Sequence, residues 1–560
     1  MTGWALDLGT TNSGIARWDP SAGQPVLVEL PTVCRVPEGD DVLEAPRLVP
    51  SAVHMVERPR WQDRLGALPL VARSAFIGRQ AWIGRQALER NRASVHAAFA
   101  PGFKLALAAE ATRTLARVDH HSVTARGAAQ AYLRELLAEV KRATGHRIRD
   151  LVVAAPVSAF ETYRAELQRI FHAIGVLRVR FIDEPLAAAL GYGLGLARES
   201  LVCVVDIGGG TMHVELVRLS PHGAKGGQAH VVAKQALPLG GNAVDSWVLR
   251  EVCARLRFPL DESAKDDETR FWRRLMLAES CRVKEALFLE EKATFLLVPP
   301  GMLRLDDPRR PGTSLVEMTR AQLVEVLERQ GFYAGLESSL DAVLESAHVS
   351  AAAVEEVLLV GGSTLLPNVF ALLERRFDRR RLRGWQPFEA VALGAACYAA
   401  GAVNAADFIV HDYAFVTHDA ETGKEQHTVV VPSGTRFPTP PDHWKRQVVP
   451  TCAMGEPETI FKLVICEVAR ADGGARSFIW DAAGDLHKVG GKTGEDELIV
   501  PLNAASPTLG YLDPPHDPRD KRPRLEIAFG VTAERWLVAT VHDLLTRREL
   551  MHEEPVVQLL

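Results

Sequence analysis

Two textures of hydrophobic and polar positions divide this chain. Through roughly the first 400 residues, short apolar runs trade places with longer stretches of helical period, the order of an α/β domain. Trp4–Leu8, Ser13–Trp18, Leu151–Ala155, Leu201–Ile207 and Val357–Val360 are predicted strands. Ala128–Thr144, Tyr163–Ile174 and Thr319–Ala347 are predicted helices. After Phe408 prolines crowd together, as in PSGTRFPTPPDHW and YLDPPHDPRDKRPR. Short alternating runs there, such as FKLVICEVA, RLEIAFGVT and RWLVATVHD, predict antiparallel strands. The pattern sets an α/β domain over 1–403, a linker at 404–412 and a β-rich domain over 413–560.

One design occurs twice. WALDLGTTNSGIARWD runs strand, aspartate, glycine turn, strand, and LVCVVDIGGGTMHVELVRL repeats it, with Asp7 and Asp206 at matching points. Neither turn opens a helix, so neither is a P-loop or a dinucleotide fingerprint. Two related hairpins predict a duplicated domain with a cleft between its halves. Gly9, Gly208, Gly209 and Gly210 would let backbone N–H groups approach an anion, with hydroxyls from Thr10, Thr11 and Thr211 and the Asn12 amide as further donors. That is equipment for a phosphate chain held from both sides. A carboxylate inside an apolar strand is costly unless paired. Asp7 and Asp206 would also repel phosphate without a cation between them, and hydrated Mg²⁺ suits their oxygens. Either turn alone is as readily an ordinary hairpin; the matched pair carries the reading.

Composition narrows the class. With 560 residues, 47% hydrophobic and 24% charged, the chain is globular and long enough for two or three domains. A net charge of -5 gives no support for general nucleic-acid affinity. The seven cysteines form no CxxC pair, which predicts buried, reduced thiols. The N-terminus enters a strand at once, leaving no room for a signal peptide, and no apolar run approaches the ~20 residues of a spanning helix. A soluble cytoplasmic protein is expected.

Two further stretches carry chemistry. In FIDEPLAAALGYG, Glu184 precedes Pro185 at the start of an apolar helix. It is either a helix N-terminal carboxylate facing the dipole or one that orients or deprotonates an attacking water. In EEVLLVGGSTLLPNV, a fully apolar strand ends in Gly361 and Gly362, which permit close approach of a flat ring or ribose, and Ser363 is placed to cap the next helix.

Together these residues resemble the seventy-kilodalton heat-shock chaperone family, within the actin and sugar-kinase ATPase superfamily. DLGTTNS, DIGGGT, DEPLAAALGYG and VLLVGGSTLLP stand in the family's order and close to its spacing, with weaker echoes in LPLGGNAVDS, MTRAQL and EAVALGAACYAA. The resemblance covers residues 3–403 well and the remainder loosely. It implies an actin-like ATPase domain of two lobes, ATP or ADP with Mg²⁺, and a β-sandwich for polypeptide. Asp7, Thr10, Thr11, Asn12, Asp206, Gly208, Gly209, Gly210 and Thr211 match the family's phosphate and magnesium positions, with Asp7 and Asp206 acting through water. Glu184 matches its catalytic glutamate. Lys104 in FAPGFKLAL matches its catalytic lysine, against the alternative of a solvated helical lysine. Pro156 and Arg164 match its proline switch. Gly361, Gly362 and Ser363 match its adenosine loop. Lys284 matches an adenine-side lysine, with Glu279 and Arg282 competing for that register.

There are departures. His213 stands where the family has a carboxylate near magnesium, Leu365 where it has an arginine against adenine, and Phe388 where it has an aspartate. Leu365 and Phe388 are expected to wall an apolar base pocket. DFIVHD at 407–412 is similar to the family's interdomain linker, although an edge strand opening the β domain reads as well. RPRLEIAFGVTAERWLVATVHD is similar to its last long hairpin, and the helical lid has no counterpart in this sequence. Of the smaller signals, RRFDRRRLRG reads as a solvated helix end and VDHH as surface histidines rather than a metal site. The expectation is a slow, lidless chaperone-like ATPase that acts as a monomer. Unfolded polypeptide, a J-domain-type co-chaperone and an exchange factor are its expected partners, with neither nucleic acid nor membrane. The rival is a non-hydrolysing nucleotide sensor or scaffold; a sugar kinase is disfavoured by the linker and β domain.

Overall fold

The apolar run Trp4–Leu8 forms β1, the central strand of a sheet whose other members come from far along the chain. With β2 (Asn12–Asp19), β3 (Gln24–Leu27), β4 (Asp150–Ala155) and β5 (Arg178–Asp183), the order is β5-β4-β1-β2-β3. β1 runs parallel to β4, with Asp7 opposite Ala154, and antiparallel to β2, with Asp7 opposite Gly14. A second sheet repeats the plan. β6 (Ser200–Ile207), β7 (Met212–Leu219), β8 (His230–Leu237) and β9 (Glu356–Val360) stand in the order β8-β7-β6-β9. Asp206 on β6 lies opposite Val360 of the parallel neighbour and His213 of the antiparallel one.

This computed structural model describes residues 3–35, 48–56, 79–93, 98–118, 121–156, 161–196, 198–256, 267–296, 316–402, 409, 412–418, 424–432, 435, 437–451, 457–470, 477–480, 486–489, 497–504, 506–533 and 536–559. The chain divides into two units. The first takes Met1–Tyr192, Leu196–Phe377 and Gln386–Asn404; the second takes Gly193–Gly195, Asp378–Trp385 and Ala405–Leu560.

In the first unit the helices that matter for the cleft are α1 (Phe103–Ala109), α2 (Ala125–Thr144), α3 (Glu161–Ala173), α4 (Glu184–Gly191), α5 (Gly241–Leu256) and α6 (Asp267–Leu289). The Thr124 hydroxyl caps α2 by accepting from the Gly127 N–H at 3.1 Å, and Gly145 ends it in the left-handed region. Tyr132, Leu133 and Leu136 of α2 share one buried cluster with Leu6, Leu8, Leu151 and Val153 of the sheet. The predicted single helix over 319–347 is two: α7 (Arg320–Arg329) and α8 (Phe332–Ser346). Gly331 between them has φ 73°, which breaks the helical ladder, while Thr319 and Gln322 close a capping box at the start of α7. A further helix, α9 (Ala390–Ala399), packs on α4, which carries Glu184 at its first position.

Among the described residues, the second unit from Asp412 onward is built of strands. β10 (Asp412–His418), β11 (Glu425–Val431), β14 (Ile465–Arg470) and β17 (Glu497–Pro501) form one antiparallel sheet, in the order β11-β10-β14-β17. β12 (Trp444–Val448), β19 (Leu525–Val531), β20 (Trp536–Asp543) and β21 (Arg548–Gln558) form a second, in that order. β13 (Glu458–Leu463) with β18 (Thr508–His516), and β15 (Ser477–Trp480) with β16 (Leu486–Val489), are two-stranded ribbons. Inner-face residues of both sheets, among them Tyr413, Phe415, Ile527 and Phe529, fill one core, as in a sandwich.

Several sequence expectations change here. Of the apolar run in the expected linker, Ile409 is fully buried in the core of the second unit and its N–H donates to Thr435 O at 2.8 Å. Ile409 is in no strand, and Phe408 and Val410 lie outside the described residues. The basic stretch is not a solvated helix end throughout. Its helix stops at Phe377, and Arg383 is 1% exposed, with its guanidinium 5.7 Å from the Trp385 ring centroid. His120 of VDHH is outside the described residues, and His121 opens a short strand. The described cysteines are free and, apart from the partly exposed Cys281, buried. No helix among the described residues is long and apolar enough to cross a membrane.

Candidate functional site

A cleft of about 510 Å³ opens between the two sheets of the first unit. Its size suits a nucleotide-sized ligand. Both hairpin turns reach it. Gly9, Thr10, Thr11 and Asn12 line it from the first, and Gly208, Gly209, Gly210 and Thr211 from the second. The turns nearly touch: a Cβ on Gly209 would stand 1.9 Å from Thr11 Oγ1 and would have to displace that hydroxyl. The start of α5 braces the second turn, Gly241 N donating to Gly208 O at 2.9 Å and Asn242 N to Gly209 O at 2.7 Å.

Asp7 and Asp206 each sit at the last pleat of a central strand, both lining the cleft. Burial pushes the Asp7 carboxyl up to about 7, Lys104 opposing and Glu184 adding to it. Burial also raises Asp206 well above the usual carboxylate range, with Glu184 adding. These are carboxylates whose charge the protein leaves short of compensation, which is what a bound cation would supply. Among the described residues no three or more His, Cys, Asp and Glu side chains are arranged to hold a metal directly. The donor set therefore fits magnesium held through water, not a closed protein cage.

Lys104 on α1 donates to Glu184 Oε1 at 3.2 Å, and both line the cleft. Burial alone would lower the Lys104 pKa; Glu184, Tyr163 and Asp7 more than offset it, so the ammonium is held charged. This removes the solvated-lysine alternative. Pro156 also lines the cleft, whereas Arg164 donates to Asp183 Oδ1 at 2.7 Å, beside Glu184. The residues 157–160 that join them lie outside the described set. Burial holds the His213 imidazole below its ordinary value, so a neutral ring stands opposite Asp206.

On the far wall the register of α6 is settled. Lys284 lines the cleft, 5% exposed, and pairs with Asp245 Oδ1 at 2.7 Å. Glu279 and Arg282 pair with each other at 2.7 Å and do not line it. Gly361, Gly362 and Ser363 do line it. Ser363 does not cap the short helix Gly362–Leu365; its hydroxyl donates to Gly208 O at 3.2 Å, tying the loop to the second turn. Phe388 is on the wall as expected, but Leu365 is not: it is 2% exposed and buried away from the cleft.

Sequence reasoning missed Asp245, Tyr163 and Glu285. Asp245 stands in LPLGGNAVDS, where an acidic residue on an otherwise buried helix face was the available signal. Tyr163 is 5% exposed and adjacent to Arg164. Glu285 joins Arg35 at 2.6 Å, a pair separated by 250 residues that no local pattern announces.

Comparison with known proteins gives the family. "Chaperone protein DnaK" of Thermus thermophilus is 27% identical over 315 residues, 55% of this chain and 48% of that one. "Chaperone protein dnaK3" of Thermosynechococcus vestitus is 28% identical over 314 residues, covering 55% and 43%. "Chaperone protein HscA homolog" of Shewanella sediminis is 30% identical over 267 residues, covering 48% and 40%. The chain thus spans about half the length, or less, of these relatives. The sequence model for "Hsp70 protein" matches residues 76–465, well over half the chain, from the first unit into the β-rich second. The chain, with its α/β actin-like lobes and β-rich C-terminal region, belongs to the Hsp70 family.

Proposed function

We propose that the cleft binds ATP with magnesium and hydrolyses it slowly, and that the nucleotide state acts on the second unit as in a chaperone. The matched pair of raised aspartates carries this reading: two buried carboxylates at equivalent register, one on each side of facing glycine turns. Backbone N–H groups of both turns, with Thr10, Thr11 and Thr211, hold the phosphates. Asp7 and Asp206 orient magnesium-bound water, and the metal when bound neutralises phosphate charge. Lys104 holds the terminal phosphate, and Glu184 orients the attacking water and takes its proton. Lys284, Gly361, Gly362 and Ser363 hold the nucleoside, with Phe388 against the base. Unfolded polypeptide is the proposed client of the β unit, with a J-domain-type co-chaperone and an exchange factor as partners. The support is the family and the relatives' chaperone names.

His213 favours a second reading, a sensor that binds nucleotide without turning it over, because a neutral ring replaces the carboxylate expected beside magnesium. Calorimetry with ATP, with and without magnesium, followed by phosphate release from wild type and Glu184→Ala, separates them. Binding with Glu184-dependent release supports hydrolysis. Binding with no release, or equal release from both, supports the sensor. No binding ends both.

A further inference from the structure

Behind the Glu184 wall of the cleft lies a second cavity of about 20 Å³. Glu184, Val204, Asp206, His213 and Glu215 are among the residues that line it. A space of that size admits one water, which needs two to four polar partners to stay. Glu215 has no place in the chemistry so far. It is 7% exposed, and no hydrogen bond or ion pair to it is found among the described residues. Its cross-strand neighbours are Val204 and the exposed Lys234. His213 and Glu215 are two apart on β7 and so share a face. A buried carboxylate without a hydrogen-bond partner is costly, and this one lines the small cavity, with only the charge of Lys234 across the ladder to offset it. Among the described residues no metal-holding group of three or more acidic, histidine or cysteine side chains exists, which argues for water there rather than a cation.

Glu184 is also half held. Lys104 donates to Oε1, and no described residue donates to Oε2. We infer that Glu215 is a positioning residue for Glu184, acting through a water in this cavity that donates one hydrogen to each carboxylate and accepts one from the His213 ring. A water has two hydrogens for the two acids, and a neutral imidazole has one N–H to give. Burial pushes Glu215 up to about 7, with Glu184 adding to it. Water serves either protonation state by turning, which a fixed side-chain donor could not. The consequence is that Glu184 is gripped at both oxygens, by a lysine on the cleft side and a water behind, so that its free lone pair meets the attacking water in a fixed direction.

The inference rests on the hydrolysis reading, and the test separates the two. Glu215→Leu removes the acceptor with similar bulk, and Val204→Ile fills the cavity without touching any acid. Each is expected to lower the phosphate-release rate about tenfold, less than the ~10²-fold that a 1 Å misplacement costs, with nucleotide affinity unchanged. Combined with Glu184→Ala, neither is expected to lower the rate further, because both act through Glu184. Wild-type rates from both single variants, or losses that multiply with that of Glu184→Ala, overturn the inference while hydrolysis stands. A wild-type chain that binds nucleotide and releases no phosphate overturns both.

Discussion

The two hairpins of the first unit share a backbone and differ in company. Each places an aspartate at the end of a central strand, with a parallel neighbour on one side and its own returning strand on the other. Opposite Asp7 stands Gly14, and its strongest side-chain influence is the Lys104 ammonium, which lowers it. Opposite Asp206 stands His213, and its strongest side-chain influence is the Glu184 carboxylate, which raises it. One fold element used twice thus yields two acids that the same lysine opposes, Asp7 more strongly than Glu184 raises it and Asp206 less strongly. Backbone symmetry sets where the carboxylates point; the neighbours decide how strongly each needs a cation.

The largest effect is expected where both hairpins converge. Glu184→Ala should reduce phosphate release ~10²-fold, typical of a positioned acid–base group, measured in single turnover. The comparison itself comes next. Asp206→Ala should weaken magnesium-dependent nucleotide binding roughly tenfold or more, the size of a lost charged contact, and Asp7→Ala by less. Equal losses by calorimetry would show that the neighbours do not differentiate the two acids.

Third is stability without nucleotide. A carboxyl at about 7 in the folded chain, against ~4 unfolded, binds more protons folded than unfolded across that window. Stability of the empty protein should therefore fall as pH rises from about 4 through 7, with the loss complete above it. Asp7→Asn should raise the Tm of the empty protein at pH 8, by about 1 °C per kcal/mol regained in a unit of this size, while impairing magnesium-dependent binding. A lower Tm would mean that the charge is compensated after all. The smallest effect belongs to His213→Asp. A carboxylate restored opposite Asp206 should lower the magnesium concentration for half-maximal binding about two- to threefold, and no change would place His213 outside the metal's reach.

What the sequence made legible follows from which signals are local. An aspartate before a glycine turn between two apolar runs is spelled out within about ten residues, so both hairpins were readable, as were Glu184 before Pro185 and the double glycine after β9. Register on a helix is less local. Glu279, Arg282 and Lys284 are all plausible by pattern, and only the packing of α6 shows that Lys284 faces inward to Asp245. Leu365 was misjudged because resemblance transfers a position and not a direction: an arginine there could extend to the cleft, while leucine gains by burial. The helix break at Gly331 was visible as a glycine and overruled by apolar periodicity on both sides. Ile409 escaped because its partner, Thr435, belongs to the tertiary fold and not to the pattern around it, and Arg383 because its burial is not written in the charge of its neighbours.

The near-contact of Thr11 with Gly209 makes the floor of the cleft a mechanical end stop. With no side chain on residue 209, the two turns settle until the threonine hydroxyl occupies the space a methyl would take. An alanine at 209 would have to turn the Thr11 hydroxyl aside or part the turns, since the next nearest atoms stand at 3.3 and 3.4 Å. The two turns that face the ligand thus also set each other's spacing, through the absence of an atom.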